Sequence, residues 1–280
     1  MNFGLRYDHN QIWETTTSPS LATIYKLNQS ETAIKLVYGE AFQEPPAKQL
    51  YGGWSDRNAN PDLKPEHAKN LELILIHKTQ HWLHNVSLYH AKYYDVIRED
   101  AINDAKRDSW GLEYRGQFEY DNLISGQAAI TGQLFYTYAE TKSNQSYDHQ
   151  EGQWYEKSTS LGDISPHKIN LIVNIPVTAA FNINFKANYF HRTPLYSRNP
   201  LTEQEIKVSS RVLFDTAINY QHSHWLLSFK AMNVFDRKVF APGTGKANAG
   251  NDFSKRSLGF NNSLSPQPGR SLWLTAGYSF

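Results

Sequence analysis

The stretch FNINFKANYFHR, residues 181–192, decides the fold. Phe181, Ile183, Phe185, Ala187 and Tyr189 alternate with Asn182, Asn184, Lys186 and Asn188. A period of two places the apolar set on one face of a β-strand and the amide and ammonium groups on the other. INLIVNIPV, residues 169–177, repeats the pattern, and only Thr178, Ala179 and Ala180 separate the two runs. Two alternating runs joined by so few residues predict an antiparallel hairpin with one apolar and one polar face.

Working outward, the alternation recurs in WGLEYRGQFEY (110–120), in AAITGQLFYTY (128–138) and in the closing RSLWLTAGYSF (270–280). Candidate strands also lie near 1–9, 20–28, 31–41, 67–79, 82–98, 209–221 and 225–236, about twelve in all. The connections at 28–31, 79–81, 121–125, 178–180 and 221–224 are tight. Those at 42–66, 99–108, 143–165, 193–208 and 237–270 are long and rich in polar, Gly and Pro residues. The first, near 10–19, falls on the long side. Short and long connections therefore alternate, and an antiparallel meander puts alternate connections at opposite ends.

The chain has 280 residues, net charge +1, no cysteine, seven Trp, seventeen Tyr and fourteen Phe. A balanced charge gives no electrostatic footprint for nucleic acid. Lack of cysteine excludes disulfides, thiolate metal sites and Cys nucleophiles. No apolar run reaches the roughly 18 residues of a transmembrane helix, and MNFGLRYDHN does not read as a signal peptide but already alternates as a strand. The composition alone suits a soluble protein. A soluble sandwich would also alternate, but its strands usually run about 3–10 residues, and 82–98 and 126–142 are longer. Long strands, aromatic residues toward strand ends and alternating connections predict instead an all-β antiparallel transmembrane β-barrel, the strand architecture that leaves no open edge in lipid. The final Phe280 then belongs to the lipid or interfacial face.

Several segments resemble TonB-dependent outer-membrane receptors. NANPDLKPEHAKNLEL (58–73) is similar to the family's strand-entry motif, through Asn60, Pro61, Leu63, Pro65 and Glu66; YGEAFQEPPAKQLYG (38–52) precedes it in the family's order. MNVFDRKVF (232–240) resembles another family strand end, through Asn233, Phe235 and Asp236, with Val234 and Phe240 where the family has Leu and Tyr. PGRSLWLTAGYSF resembles the terminal strand, whose Tyr278 and Phe280 would form the assembly signal; position 78, a lysine, has no part in it. Pro61 and Pro65 withhold amide donors and fix φ, so the first motif reads as a rigid structural re-entry into the strand at 67–79.

The resemblance implies the C-terminal portion of a 22-stranded receptor barrel, without plug domain or signal peptide. It implies uptake of an iron chelate such as a ferric siderophore. The implied partners are outer-membrane lipid, the barrel assembly machinery, and the TonB system only through the missing plug. It implies no catalytic residue, cofactor or nucleic acid. Ligand contacts are expected from the outer loops: Tyr51, Trp54 and Arg57; Tyr147, Trp154 and Tyr155; Arg192, Tyr196 and Arg198. Aromatic faces beside guanidinium groups suit anionic, ring-bearing chelates. Polar rows such as Glu113, Arg115 and Glu119 would form a hydrated wall facing the plug. His77, His81 and His84 straddle a tight turn, so their imidazoles are expected to diverge and no metal site is predicted. No Ser/His/Asn set shares a strand face as a barrel phospholipase would need. A passive twelve-stranded channel and a soluble β-rich binding protein are the alternatives.

Overall fold

A computed structural model describes residues 1–12, 14–27, 30–52, 59–98, 101–121, 123–148, 153–160, 164–195, 206–242 and 264–280. The principal strands are β1 (Asn2–Asn10), β2 (Glu14–Lys26), β3 (Thr32–Gln43), β4 (Glu66–Lys78), β5 (Trp82–Ile97), β6 (Asn103–Tyr120), β7 (Ile130–Asp148), β8 (Gln153–Ser160), β9 (His167–Pro176) and β10 (Phe181–Phe190). They continue with β13 (Arg211–His222), β14 (Trp225–Met232) and β17 (Ser271–Tyr278). Short pieces complete the set: helix α1 (Ala47–Tyr51), the pair β11 (Thr193–Leu195) and β12 (Ile206–Val208), and the pair β15 (Phe240–Pro242) and β16 (Leu264–Pro266). The main sheet has thirteen strands in the order β1-β2-β3-β4-β5-β6-β7-β9-β10-β13-β14-β17, with β8 paired to β7. All twelve expected strands lie on that path, in sequence order.

The boundaries depart from expectation at the long-connection end. Residues 10–19 do not form a connection: β2 starts at Glu14, and Leu5 stands opposite Pro19. The pairing of β2 with β3 covers Ser20–Lys26, so the amide that Pro19 lacks falls where that ladder has stopped. TTTSPS carries no alternation, which is why it read as loop. Residues 99–108 are likewise mostly strand, since β6 begins at Asn103. In the long connection at 143–165, β7 runs on to Asp148 and β8 follows. A membrane strand needs about 9–11 residues, so β6 with 18 and β7 with 19 exceed the bilayer. A strand beyond the bilayer needs no apolar face, and the alternation disappears there.

The chain divides into two compact units. The first comprises Met1–Ile76, Val86–Leu112 and Ala139–Leu161; the second His77–Asn85, Glu113–Tyr138 and Gly162–Phe280. Among the described residues, few side chains of either unit are buried. In the first unit Leu50, Leu63 and Ala101 form a buried apolar cluster, with Ile97 packed against it. Leu71, Leu73 and Leu75 alternate along β4 and are exposed. Their polar neighbours bond each other instead, as where the Ser87 hydroxyl donates to Glu72 at 2.5 Å. Sheet pairing, rather than a packed core, holds this protein together.

Candidate functional site

In the second unit the register sorts the side chains into two faces. Leu134, Leu171, Ala187 and Phe214 stand opposite one another, as do Ile175, Ile183, Ile218, Phe229 and Leu274. Rings bound this apolar face on both sides. Toward the long-connection end stand Tyr136, Tyr138, His167, Tyr189 and His191. Tyr136 Oη lies 2.9 Å from His167 Nδ1, and Tyr189 Oη 3.1 Å from His191 Nδ1. At the tight-turn end, Trp225 packs edge-on against Tyr278 at 4.9 Å, and Tyr278 against Phe280 at 5.3 Å. From Val212 to His222 the strand rises roughly 34 Å at about 3.4 Å per residue. Tilted about 40°, that is about 26 Å, the height of a lipid-facing apolar band between aromatic girdles.

The tight-turn girdle extends over β5 and β6. Trp82 Nε1 donates to Tyr120 Oη at 2.9 Å, and His84 Nδ1 lies 2.9 Å from Tyr114 Oη. The imidazoles do not diverge as expected. His77 and His84 face each other across the turn with centroids 6.2 Å apart and planes 13° apart, while His81 stacks on Tyr120 at 4.6 Å. Antiparallel pairing puts residues symmetric about the turn on one face, which the spacing argument overlooked. These rings stack as a belt, and no group of three metal-ligating side chains forms among the described residues. The glycines serve the rings. A Cβ on Gly132 would meet the Phe118 ring, 2.6 Å from Cε1, and one on Gly116 would come 3.0 Å from Trp82 Cζ3.

The opposite face is polar. Asn182 Nδ2 donates to Asn174 Oδ1, Asn184 Nδ2 to Asn182 Oδ1 at 2.8 Å, Asn219 Nδ2 to Asn182 Oδ1 at 3.1 Å, and Ser228 Oγ to Asn219 Oδ1 at 2.7 Å. A cavity of about 450 Å³ lies at the edge of this ladder, lined in part by Gln127, Asn182, Asn219 and Gln221. This ladder offers neutral hydrogen bonds.

At the long-connection end of the first unit, Asn60 Nδ2 donates to the Ala101 carbonyl at 2.9 Å, and the Asn60 amide to the Gln49 carbonyl at 2.8 Å. Leu63 and Pro65 are buried, and Pro61 is exposed. The Ile97 amide donates to Glu66 Oε1 at 2.6 Å. Residues that the sequence reading did not single out complete the arrangement. Asn103 donates to the carbonyls of Lys64 (2.9 Å) and Asp95 (2.7 Å) and accepts from the Lys64 amide (2.8 Å). Arg98, its side chain 9% exposed, donates through Nη1 to Asp104 Oδ2 (2.8 Å) and Gln145 Oε1 (2.5 Å). Asp95 and Ala101 adopt left-handed φ of 55° and 59°. Each such non-glycine residue costs roughly 1–2 kcal/mol, and here an asparagine amide holds each carbonyl. A polar run between strands gave no signal for this clasp.

The second motif forms a similar clasp in the second unit. Asn233, buried and at φ 49°, donates its amide to Asp215 Oδ1 (2.8 Å) and its side chain to the Arg237 carbonyl (2.8 Å). Asp236, at φ 50°, accepts from the Arg270 amide at 2.8 Å, and the exposed Phe235 packs edge-on against Phe214 at 5.3 Å. Of the expected ligand residues, Tyr51 ends α1 and is exposed, Tyr155 on β8 is exposed, and Arg192 is exposed just beyond β10. Trp154 stands opposite Tyr147 in the β7–β8 hairpin. Trp54, Arg57, Tyr196 and Arg198 lie outside the described residues.

A lipid-facing band between two ring girdles, backed by a polar face, defines the wall of an outer-membrane β-barrel. The chain belongs to the TonB dependent receptor-like β-barrel family, whose model matches residues 1–234. It is 24% identical over 257 residues to an iron-regulated outer membrane virulence protein of Vibrio cholerae, covering 85% of this chain and 38% of that protein. It is 36% identical over 243 residues to the vitamin B12 transporter BtuB of Photobacterium profundum, covering 76% and 39%. Among solved structures, it is similar to the ferric enterobactin receptor PfeA of Pseudomonas aeruginosa, with TM-score 0.68 and 19% identity over 99% of this chain and 43% of that one. The ferric-catecholate import receptor Fiu of E. coli gives 0.67 and 16% over 95% and 35%. The chain thus spans about two fifths of the length of the curated relatives it matches.

Proposed function

We propose that these residues form the C-terminal portion of the barrel of a receptor that takes up an iron chelate, such as a ferric siderophore, in a TonB-dependent manner. The observation that carries the reading is the lipid-facing band of the second unit, bounded by Tyr136, Tyr189 and His191 on one side and Trp225 and Tyr278 on the other. The long-connection end is the outer one, and Tyr51, Tyr155 and Arg192 contribute to ligand capture there together with the loop residues expected from the sequence. The inner polar face lines the lumen against the plug, which carries the coupling to TonB. Outer-membrane lipid and the barrel assembly machinery are the remaining partners. The names of the Vibrio, Pseudomonas and E. coli proteins support iron as the cargo. The 36% identical vitamin B12 transporter favours a second reading, a corrinoid cargo.

The test is uptake by cells carrying the receptor in its natural context against a deletion strain. TonB-dependent accumulation of iron from a ferric siderophore, with none of cyanocobalamin, is expected. Cobalamin uptake without iron uptake supports the second reading. Ion conductance without energised uptake of either supports a passive channel.

A further inference from the structure

We infer that the polar face of the second unit carries an anion site built on Arg211 and Lys168, and that its ligand is a polycarboxylate. This deepens the proposed uptake function by assigning a chemical class to the cargo. Across the sheet, Thr137, Lys168, Phe190 and Arg211 stand directly opposite one another on adjacent strands. Directly opposed residues share a face, and this rung has the polar face's parity. It stands one residue along each strand from the rung of Tyr136, Ile169, Tyr189 and Val212, and so at the level of the girdle toward the long-connection end.

The Arg211 guanidinium lies over the Phe190 ring, 4.5 Å from its centroid. Its Nε and Nη1 are buried and have no hydrogen-bond partner among the described residues. A buried guanidinium donor without a partner is costly, and in a native protein such a group commonly marks a water or ion position. Lys186 stands opposite Asp215, and Arg115 lies over Phe135 at 5.5 Å. The Lys168–Arg211 rung holds no carboxylate. Neither does the next one, Phe135, Asn170, Asn188 and Leu213, whose asparagines add neutral donors.

Two strand spacings separate Lys168 from Arg211, about 9.6 Å between backbones. A single phosphate or one carboxylate can engage one of the cations. A molecule carrying two or more carboxylates can engage both, with its planar groups matched to the guanidinium. Citrate is the probe.

The experiment titrates citrate into the receptor purified from outer membranes with these residues in their natural context, at low ionic strength. Wild type is expected to bind citrate, and inorganic phosphate to compete poorly. Arg211→Gln should weaken citrate binding by about tenfold or more, Lys168→Gln by about threefold, and Arg211→Lys should retain part of the affinity. Lys35→Gln, on another strand, should leave it unchanged. Heat-modifiable gel mobility checks that each variant keeps its barrel. No citrate binding at about 1 mM overturns the site and leaves water as the partner of Arg211. Unchanged affinity in folded Arg211→Gln also overturns it. Phosphate competing as well as citrate overturns the polycarboxylate class. Iron uptake measured in parallel keeps the two readings separable: a receptor that imports its chelate but ignores citrate sinks this inference alone.

Discussion

Replacing Asn103 by alanine should open the re-entry segment without melting the sheet. Its side-chain amide makes three bonds, two with Lys64 and one with the Asp95 carbonyl, at 2.7–2.9 Å. With Lys64 it engages both the amide and the carbonyl, as a neighbouring strand would. A typical net contribution is about 0.5–1.5 kcal/mol per bond. Asn103 is only partly buried, so freed groups can reach water and the low end applies, giving about 1.5 kcal/mol in all. Opening of residues 59–66 should become about tenfold more frequent, because about 1.4 kcal/mol is a factor of ten. The left-handed Asp95, whose carbonyl is released, should loosen with it. Hydrogen exchange read by mass spectrometry on peptides covering 59–66 and 92–98 measures this, with β9–β10 peptides as the internal reference. Unchanged exchange in 59–66 would refute the clasp. Equal acceleration in β9–β10 would show that Asn103 supports the whole sheet instead.

Gly132→Ala should push the Phe118 ring off its seat and meet the Ile172 carbonyl, 2.7 Å from the new Cβ, costing about 1–3 kcal/mol; a lower temperature for loss of heat-modifiable mobility reads it. Deleting Phe280, which is fully exposed at the end of the tight-turn girdle, should sharply lower the amount of receptor in the outer membrane, measured by fractionation; undiminished levels would remove the assembly role. A cysteine at Tyr51 should react with an impermeant maleimide on intact cells, and one at Ala179, in the tight turn between β9 and β10, should not; the reverse result would invert the orientation.

What was legible in the sequence is what lipid and lumen both dictate. Phe181 to Tyr189 alternate because each neighbour faces a different solvent, and every strand with that property was found within a few residues. Where one solvent disappears, so does the signal. Asn103 to Asp108, Thr15 to Ser20 and Gln153 to Ser160 are strands with water available to both faces, and their composition is that of loops. Hydrogen-bonded pairing with an already ordered neighbour, not burial, keeps them extended. The same limit hid the clasp. Asn60 and Glu66 were visible through the motif, but their partners Ala101 and the Ile97 amide contribute backbone, which any residue supplies. Arg211 and Lys168 are 43 residues apart and become neighbours on a rung only through the registers of β9, β10 and β13. A one-residue slip in either pairing would send one of them to the lipid face. The alternation that reveals the fold therefore also fixes which cations meet in the lumen, but only after the strand partners are known.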